Sequence, residues 1–388
     1  MLLVSWNVNG IRAIERLLSS KKRDFASLFK KELNDPDVVC LQETKVSSFH
    51  SLGRPVTMIK GYRSFWAFTL GTKRKGYSGV AVYVKKSVPV THVREGFGNA
   101  AFIDEGRCLE VHIGNESDGF VLFNVYFPNG GRGPHREEYK MKFNHALRAR
   151  CQELQAQERK LIICGDFNIA HTEMDIHDPT INHSGFLPEE RQFFGDWLGD
   201  GLVDTYRRQH PLRRNAYTYW DTISKARDRN QGWRIDYFVI SREFYEPNDD
   251  NDSNEPHNGI RADIQANVFG SDHCPVTLRL NATFTALVKR VHATNTCEKL
   301  ACCASSQKKF KVRQRSLVHF FSKAKSATSD PSAAKVDTAN DDSGNAVDLT
   351  TPTESSVNPQ EEQPPKKKPK TAQALQVSRQ DKTRRAED

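Results

Sequence analysis

The run Leu161-Ile162-Ile163-Cys164-Gly165-Asp166-Phe167-Asn168 constrains this chain most. Three apolar residues, a thiol and a glycine read as a short buried strand, which ends by setting a carboxylate and a carboxamide two positions apart. Residues two apart leave an extended strand on the same side, so Asp166 and Asn168 share a face. A carboxylate at the end of a buried strand is costly unless it is hydrogen-bonded, paired or beside a metal. A simple cap of the following loop would also satisfy it, so this run alone leaves chemistry and capping both open. Val38-Val39-Cys40-Leu41-Gln42-Glu43 is a second buried strand ending in a carboxylate, and the strand Leu2–Trp6 runs into the polar turn Asn7-Val8-Asn9-Gly10.

Further strands are expected at residues 62–68, 79–84, 107–113 and 120–127, joined by short polar connections. Phe25, Leu28, Phe29 and Leu33 have helical spacing, as do Tyr139, Phe143, Leu147, Cys151 and Leu154. Pro188 opens a helix carrying Phe193, Phe194, Trp197 and Leu198. Strands near 217–220, 233–240 and 275–280 close the domain. Mixed strands and helices with polar groups at strand ends predict an α/β fold of two packed sheets with helices outside. Composition changes after Leu280, and residues 330–363 are rich in Ser, Thr, Asp, Asn, Ala and Pro without an aromatic residue, too little apolar surface to order a segment. The expected organisation is one domain over 1–281 and a flexible, disordered tail over 282–388.

Residues 282–388 hold 19 Lys and Arg against 12 Asp and Glu, so +7 of the net +9 lies in the tail and +2 in residues 1–281. Whatever the front part binds, it does so through local patches. Cys40, Cys164 and Cys274 sit in apolar strand-like runs, as free thiols in a reducing compartment do. Cys297, Cys302 and Cys303 lack the paired spacing of a zinc knuckle. No apolar run is long enough for a membrane-spanning helix, and with Leu2–Trp6 reading as a strand no signal or transit peptide is expected.

Strand ends and turns supply Asn7, Glu43, Asp166, Asn168, Asp236 and the pair Asp272-His273. Each acid singly is explained as a turn cap, but the set together is not. Oxygen donors with one obvious imidazole suit a hard cation such as Mg²⁺ better than zinc. Magnesium held by one or two carboxylates commonly completes its shell with water and phosphate, which points to a phosphoester substrate.

Ser5-Trp6-Asn7-Val8-Asn9-Gly10, Leu41-Gln42-Glu43-Thr44-Lys45, Gly76-Tyr77-Ser78-Gly79-Val80, Tyr126-Phe127-Pro128-Asn129, Cys164-Gly165-Asp166-Phe167-Asn168, Gly232-Trp233-Arg234-Ile235-Asp236-Tyr237 and Gly270-Ser271-Asp272-His273-Cys274-Pro275 resemble, in order, the motif set of the exonuclease III type apurinic/apyrimidinic endonucleases. The resemblance spans residues 1–281. It implies a four-layer α/β sandwich and divalent-metal-dependent incision of duplex DNA on the 5′ side of an abasic site, with 3′-5′ exonuclease and 3′-phosphodiesterase activity beside it. Carried over by position, Glu43 is the principal ligand of Mg²⁺ (or Mn²⁺), with Asn7 and Asp272 near the same ion. Asp166 activates or orients the attacking water with Asn168. His273 meets the scissile phosphate, its tautomer fixed by Asp236, and Tyr126 and Asn129 hold the same phosphate. Tyr77 belongs to the DNA-contacting set. Trp233 and Ile235 share strand parity and with Tyr219 resemble the apolar pocket for a flipped, baseless sugar, although an aromatic in a strand is more often plain core. Arg132 matches the family's groove-inserting arginine. Ile223 stands where some members carry a wedging Met.

In the tail, Gln314, Leu317, Phe320 and Phe321 within residues 314–321 resemble the box that binds the sliding clamp (PCNA), with apolar anchors at i, i+3 and i+4. Residues 364–370, Pro-Pro-Lys-Lys-Lys-Pro-Lys, read as a nuclear import sequence, so a nuclear location is expected. Val347-Asp348-Leu349-Thr350 resembles a SUMO-interacting strand, and a match this short also arises by chance. The resemblance thus implies damaged duplex DNA and the clamp as partners of a monomer that uses no membrane. The alternatives are a clamp-recruited 3′-5′ exonuclease or 3′-end cleaning enzyme, a related phosphatase or nonspecific nuclease, and an inactive clamp-tethered adaptor.

Overall fold

The computed structural model describes residues 1–70, 76–131, 133–245, 259–290 and 295–310. Among the described residues there are twelve strands: β1 (Leu2–Asn7), β2 (Val38–Gln42), β3 (Tyr62–Ala67), β4 (Val80–Lys85), β5 (Val90–Glu95), β6 (Cys108–Ile113), β7 (Phe120–Tyr126), β8 (Leu161–Asp166), β9 (Leu202–Asp204), β10 (Asp236–Ser241), β11 (Arg261–Ile264) and β12 (Val276–Arg279). They form two six-stranded sheets, in the orders β11-β12-β1-β2-β4-β3 and β5-β6-β7-β8-β10-β9. Leu3, Cys40 and Val82 of the first sheet meet Val111, Leu122 and Ile162 of the second in one buried seam.

Alternate residues face outward and bury under helices. Val4, Trp6 and Leu41 pack beneath α1 (Ile11–Ser20) and α2 (Phe25–Lys31). Phe123, Val125 and Ile163 pack beneath a 22-residue helix, Pro134–Gln155, and a 12-residue one, Pro188–Gly199, through Phe143, Leu147, Phe194 and Trp197. The result is the four-layer sandwich, whose central strands such as β2, β7 and β8 are buried on both faces, whereas the edge strands β5 and β11 are part-exposed.

Chain direction gathers the chemistry at one end. β1 and β2 run parallel, as do β7 and β8, whereas β10 and β12 run antiparallel to their neighbours β8 and β1. The ends of β1, β2, β7 and β8 therefore lie beside the beginnings of β10 and β12. Asp236 pairs in register with Asp166, and Val276, three residues beyond His273, pairs with Ser5. Gly165 permits this closeness: its φ is +137°, and a Cβ there would lie 1.8 Å from the Val125 carbonyl oxygen. Between the sheets Gln42 donates to Ser5 Oγ (3.0 Å) and to Asn124 Oδ1 (2.7 Å), which ties the two sheets together through polar groups as they approach the site.

Two expectations are corrected, and one helix is added. Residues 217–220 and 233–235 are not ladder strands, because Tyr219 divides its bridges between Trp233 and His273; β10 begins at Asp236. The turn after β1 leads into α1, whose Ile11, Ile14 and Leu18 carry helical spacing. The packed body also continues past 281. Ala282–Lys289 is a helix, the Trp66 N–H donates to the Cys302 carbonyl (2.9 Å), and Cys303 and Phe310 are buried in the cores of the first sheet. Arg132 and the three tail motifs, at 314–321, 347–350 and 364–370, lie outside the described residues.

Candidate active site

Glu43, Asp166 and His273 converge with ligand-capable atoms all within 4.8 Å of one another, and they are the one such group among the described residues. They line a cavity of about 340 Å³ shared with Asn9, Lys45, Tyr126, Asn129, Asn168, Tyr219, Trp233, Ile235 and Asp272.

Hydrogen bonds set each group. The Asn7 amide donates to Glu43 Oε1 and to Asp166 Oδ2, both at 2.9 Å, while its own oxygen accepts from the Asn9 N–H. Asn7 therefore orients the two carboxylates through its amide N–H groups. The Asn168 N–H donates to Asp166 Oδ1 (2.9 Å), and the Asn168 side chain donates to the Phe127 carbonyl. Asn168 Oδ1 accepts from Asn129 at 3.4 Å. Asp236 Oδ2 lies 2.8 Å from His273 Nδ1, so the carboxylate fixes that nitrogen as the protonated one and leaves Nε2 toward Asp166, 3.9 Å away. Thr218 Oγ1 accepts from the N–H groups of both Ile235 and Asp236 (3.1 Å each), which fixes where the pocket segment turns into β10.

Charge follows from this geometry. Burial pushes the Asp166 carboxyl up to about 7; the Asp236 and Glu43 charges add to the rise and His273 opposes it. Burial alone would lower His273, but Asp236 and then Asp166 and Asp272 more than offset it and hold the imidazole up at about 10. Burial also pushes Glu43 up, yet the Lys45 ammonium and the Asn7 hydrogen bond leave it below the usual carboxylate range. The cluster thus holds three acids, Glu43, Asp166 and Asp236, against the single buried imidazolium, with Lys45 at its edge.

That deficit, presented by oxygen donors with carboxamides beside them, fits a hard divalent cation. Within the group, the carboxylates of Glu43 and Asp166 are the anionic atoms that could face such a cation. Asp272 lies on the cavity wall, accepts from Ser271 Oγ (3.0 Å), and stands outside the three-residue group.

The apolar side of the cavity is Tyr219, Trp233 and Ile235. Tyr219 is held from both sides, by Trp233 through paired backbone hydrogen bonds and by a ring contact with His273 at 4.8 Å. Tyr126 is buried beneath the Arg107 guanidinium, 4.6 Å from its ring. Tyr77 does not line the cavity; its hydroxyl accepts from Arg107 and Arg136, which ties it to the same support. Ile223 is 95% exposed. Sequence reasoning missed Asn9, Lys45, His183, Ser184 and Gly185 in the lining. Lys45 sits inside a quoted motif, but His183, whose ring stacks on Trp233 at 5.3 Å, lies in a plain polar turn that carries no signal.

This fold and site define a class, and the chain belongs to it: residues 4–273 match the Endonuclease/Exonuclease/phosphatase family. It is 40% identical over 283 residues to the exodeoxyribonuclease of Bacillus subtilis, covering 72% of this chain and all of that one. It is 35% identical to the DNA-(apurinic or apyrimidinic site) endonuclease of Dictyostelium discoideum, over 71% of this chain and 69% of that one. Its fold matches the crystal structure of the Xenopus laevis APE2 catalytic domain with a TM-score of 0.64 and 29% identity, over 81% of this chain and 99% of the other. The chain is a metal-dependent, DNA-cleaving hydrolase of the AP endonuclease and exonuclease group of DNA repair nucleases.

Proposed function

We propose that this enzyme uses Mg²⁺ to hydrolyse the phosphodiester 5′ to an abasic site in duplex DNA. The observation that carries the reading is the apolar wall of Tyr219, Trp233 and Ile235 set directly against Glu43, Asp166 and His273 in one small cavity. Such a wall admits a sugar without a base and offers a normal nucleotide little room. Glu43 and Asp166, with Asp272 at the edge, would hold the cation, which would supply Lewis-acid stabilisation of charge on the phosphoryl oxygens. The imidazolium of His273 presents its Nε2–H to the phosphate, and Asn129 and Tyr126 border the same space. Asp166 and Asn168 orient the attacking water. Arg132 and Ile223 meet the helix beside the lesion.

The purified chain with Mg²⁺ is expected to nick an abasic duplex once, immediately 5′ to the lesion, and to leave the undamaged duplex intact. Equal cutting of both would overturn the reading. The similarity to a bacterial exodeoxyribonuclease favours a second activity at the same site, 3′-5′ removal of nucleotides and blocked 3′ ends, and recessed and 3′-blocked duplexes measure its share.

The tail supports recruitment: Gln314, Leu317, Phe320 and Phe321 form a plug for the sliding clamp, residues 364–370 direct the chain to the nucleus, and Val347–Thr350 offers a short strand to SUMO. Phe320→Ala with Phe321→Ala removes two buried anchors, each worth about 2 kcal/mol at a hot spot. Clamp binding in a titration is expected to vanish while incision of a short abasic oligonucleotide stays normal. Unchanged affinity for the clamp would refute the box.

A further inference from the structure

Arg227 lies outside the cavity, yet it ties together the two irregular segments that flank it. It belongs to a short helical turn, Ala226–Arg229, within the exposed loop that carries Ile223. That turn is bounded by Lys225 and Asn230, both in the left-handed region at φ +52° and +49°. The loop is braced internally: Asn230 donates to the Asn215 carbonyl, Trp220 Nε1 donates to Asn230 Oδ1 (3.1 Å), and Arg229 donates to the Ser224 carbonyl. From this frame the Arg227 guanidinium reaches across to the connection between β11 and β12. It donates to the carbonyls of Ala266 (2.7 Å), Val268 (2.9 Å) and Ser271 (3.2 Å), and lies over the rings of Trp220 (4.6 Å) and Phe269 (4.4 Å). Phe269 is 65% exposed. Val268 packs against the core, and beyond it the Trp6 indole donates to the His273 carbonyl (3.1 Å) and the Trp220 N–H to the Asp272 carbonyl (3.0 Å), so Arg227 holds the stretch that leads into these anchors.

The residues that follow the last of these carbonyls are Asp272 and His273. We infer that Arg227 is a positioning residue: it fixes the backbone that delivers His273 and Asp272 to the phosphate, and it couples their placement to the loop that meets DNA. A planar fork with five donors can serve three divergent carbonyls and stack between two rings at once, which a lysine ammonium cannot do. The inference rests on the proposed incision of abasic duplex. A shift of about 1 Å in a reacting group costs on the order of 100-fold in rate.

The test is a double-mutant cycle on the full chain with Mg²⁺ and abasic duplex, read as single-turnover rate and as affinity for the duplex. Arg227→Met is expected to lower the rate roughly 10- to 100-fold with affinity within twofold. In a His273→Ala background the same substitution is expected to change the rate by less than about threefold, because residues that act as one unit are not additive. Arg227→Lys, which keeps the charge and the stem, is expected to lose rate as well and serves alone if the Met variant is too unstable to assay. A wild-type rate in the variants, a loss that is fully additive with His273→Ala, or a loss confined to affinity would each overturn the assignment. A wild-type chain that does not cut abasic duplex at all would instead overturn the proposed function.

Discussion

Two clusters of buried charge sit back to back around the segment 233–236, and they are built on opposite principles. In one, Asp175 and Asp204 face Arg234 and Arg207: Arg234 Nε donates to Asp175 (2.8 Å), its two terminal nitrogens donate to Asp204 (3.1 and 2.7 Å), and Arg207 donates to Asp175. Charges there are matched. Burial pushes Asp175 up, but the two guanidinium groups hold it well below the ordinary carboxylate range. In the other, two residues along the chain from Arg234, three carboxylates share one imidazolium and Asp166 is pushed up to about 7. Matched charges hold a backbone in place; unmatched acids leave a deficit that a cation and a substrate can fill.

Losing a reacting group should have the largest effect. Asp166→Asn is expected to keep binding abasic duplex while its turnover falls by roughly 10²- to 10⁴-fold. Near-native turnover would remove Asp166 from the chemistry. In the matched cluster the loss should fall on stability instead. Arg234→Met leaves Asp175 and Asp204 buried with too little positive charge and is expected to cost about 3–5 kcal/mol in denaturant unfolding. A variant that unfolds like the native chain would show that this cluster is not structural.

The sign of the pH dependence separates the clusters further. Asp166 has a folded pKa of about 7, well above that of an unfolded aspartate at about 3.9, so its favourable contribution is present below the unfolded value and lost as pH rises through 7. Replacing it with Asn removes that loss. Without divalent metal, the melting temperature of Asp166→Asn is expected to gain on the wild type as pH is raised from 5 to 8, and Mg²⁺ should close the gap. A difference that is flat with pH would contradict the raised Asp166. Asp175, with its lowered pKa, contributes in the opposite sense: its stabilisation is present above the unfolded value and lost only in strong acid.

How much of this was legible in the sequence depended on whether residues stood at strand ends. Glu43 and Asp166 announce themselves because an apolar run makes a terminal acid conspicuous. Asp236 and His273 stood out through their motifs, and the register between β8 and β10 then placed Asp236 opposite Asp166. Asn7 was legible as a member of the site but not as a donor, since which end of an amide faces a carboxylate is a matter of three-dimensional neighbours. His183 and Arg227 were invisible: each is a common polar residue in an irregular segment, and Trp233 for the one and the Ala266, Val268 and Ser271 carbonyls for the other are tens of residues away. The boundary at 281 failed because residues 297–310 are polar on average, yet Cys302, Cys303 and Phe310 find burial against the first sheet.

The smallest of the expected losses is also the most direct test of the acid excess as a cation site. Glu43 touches Asn7 and Lys45 and shares the cavity with Asp166, so Glu43→Ala removes one anionic donor and leaves the Asp166 carboxylate in place. Single-turnover incision of abasic duplex, titrated with Mg²⁺ for wild type and Glu43→Ala side by side, reads this out. The expected result is a half-saturating Mg²⁺ concentration raised by about 10- to 100-fold, the usual cost of weakening a metal's surroundings, with the rate at saturating Mg²⁺ recovering most of the native value. An unchanged Mg²⁺ dependence with a uniformly lower rate would contradict the account, because Glu43 would then act on the substrate and not on the metal.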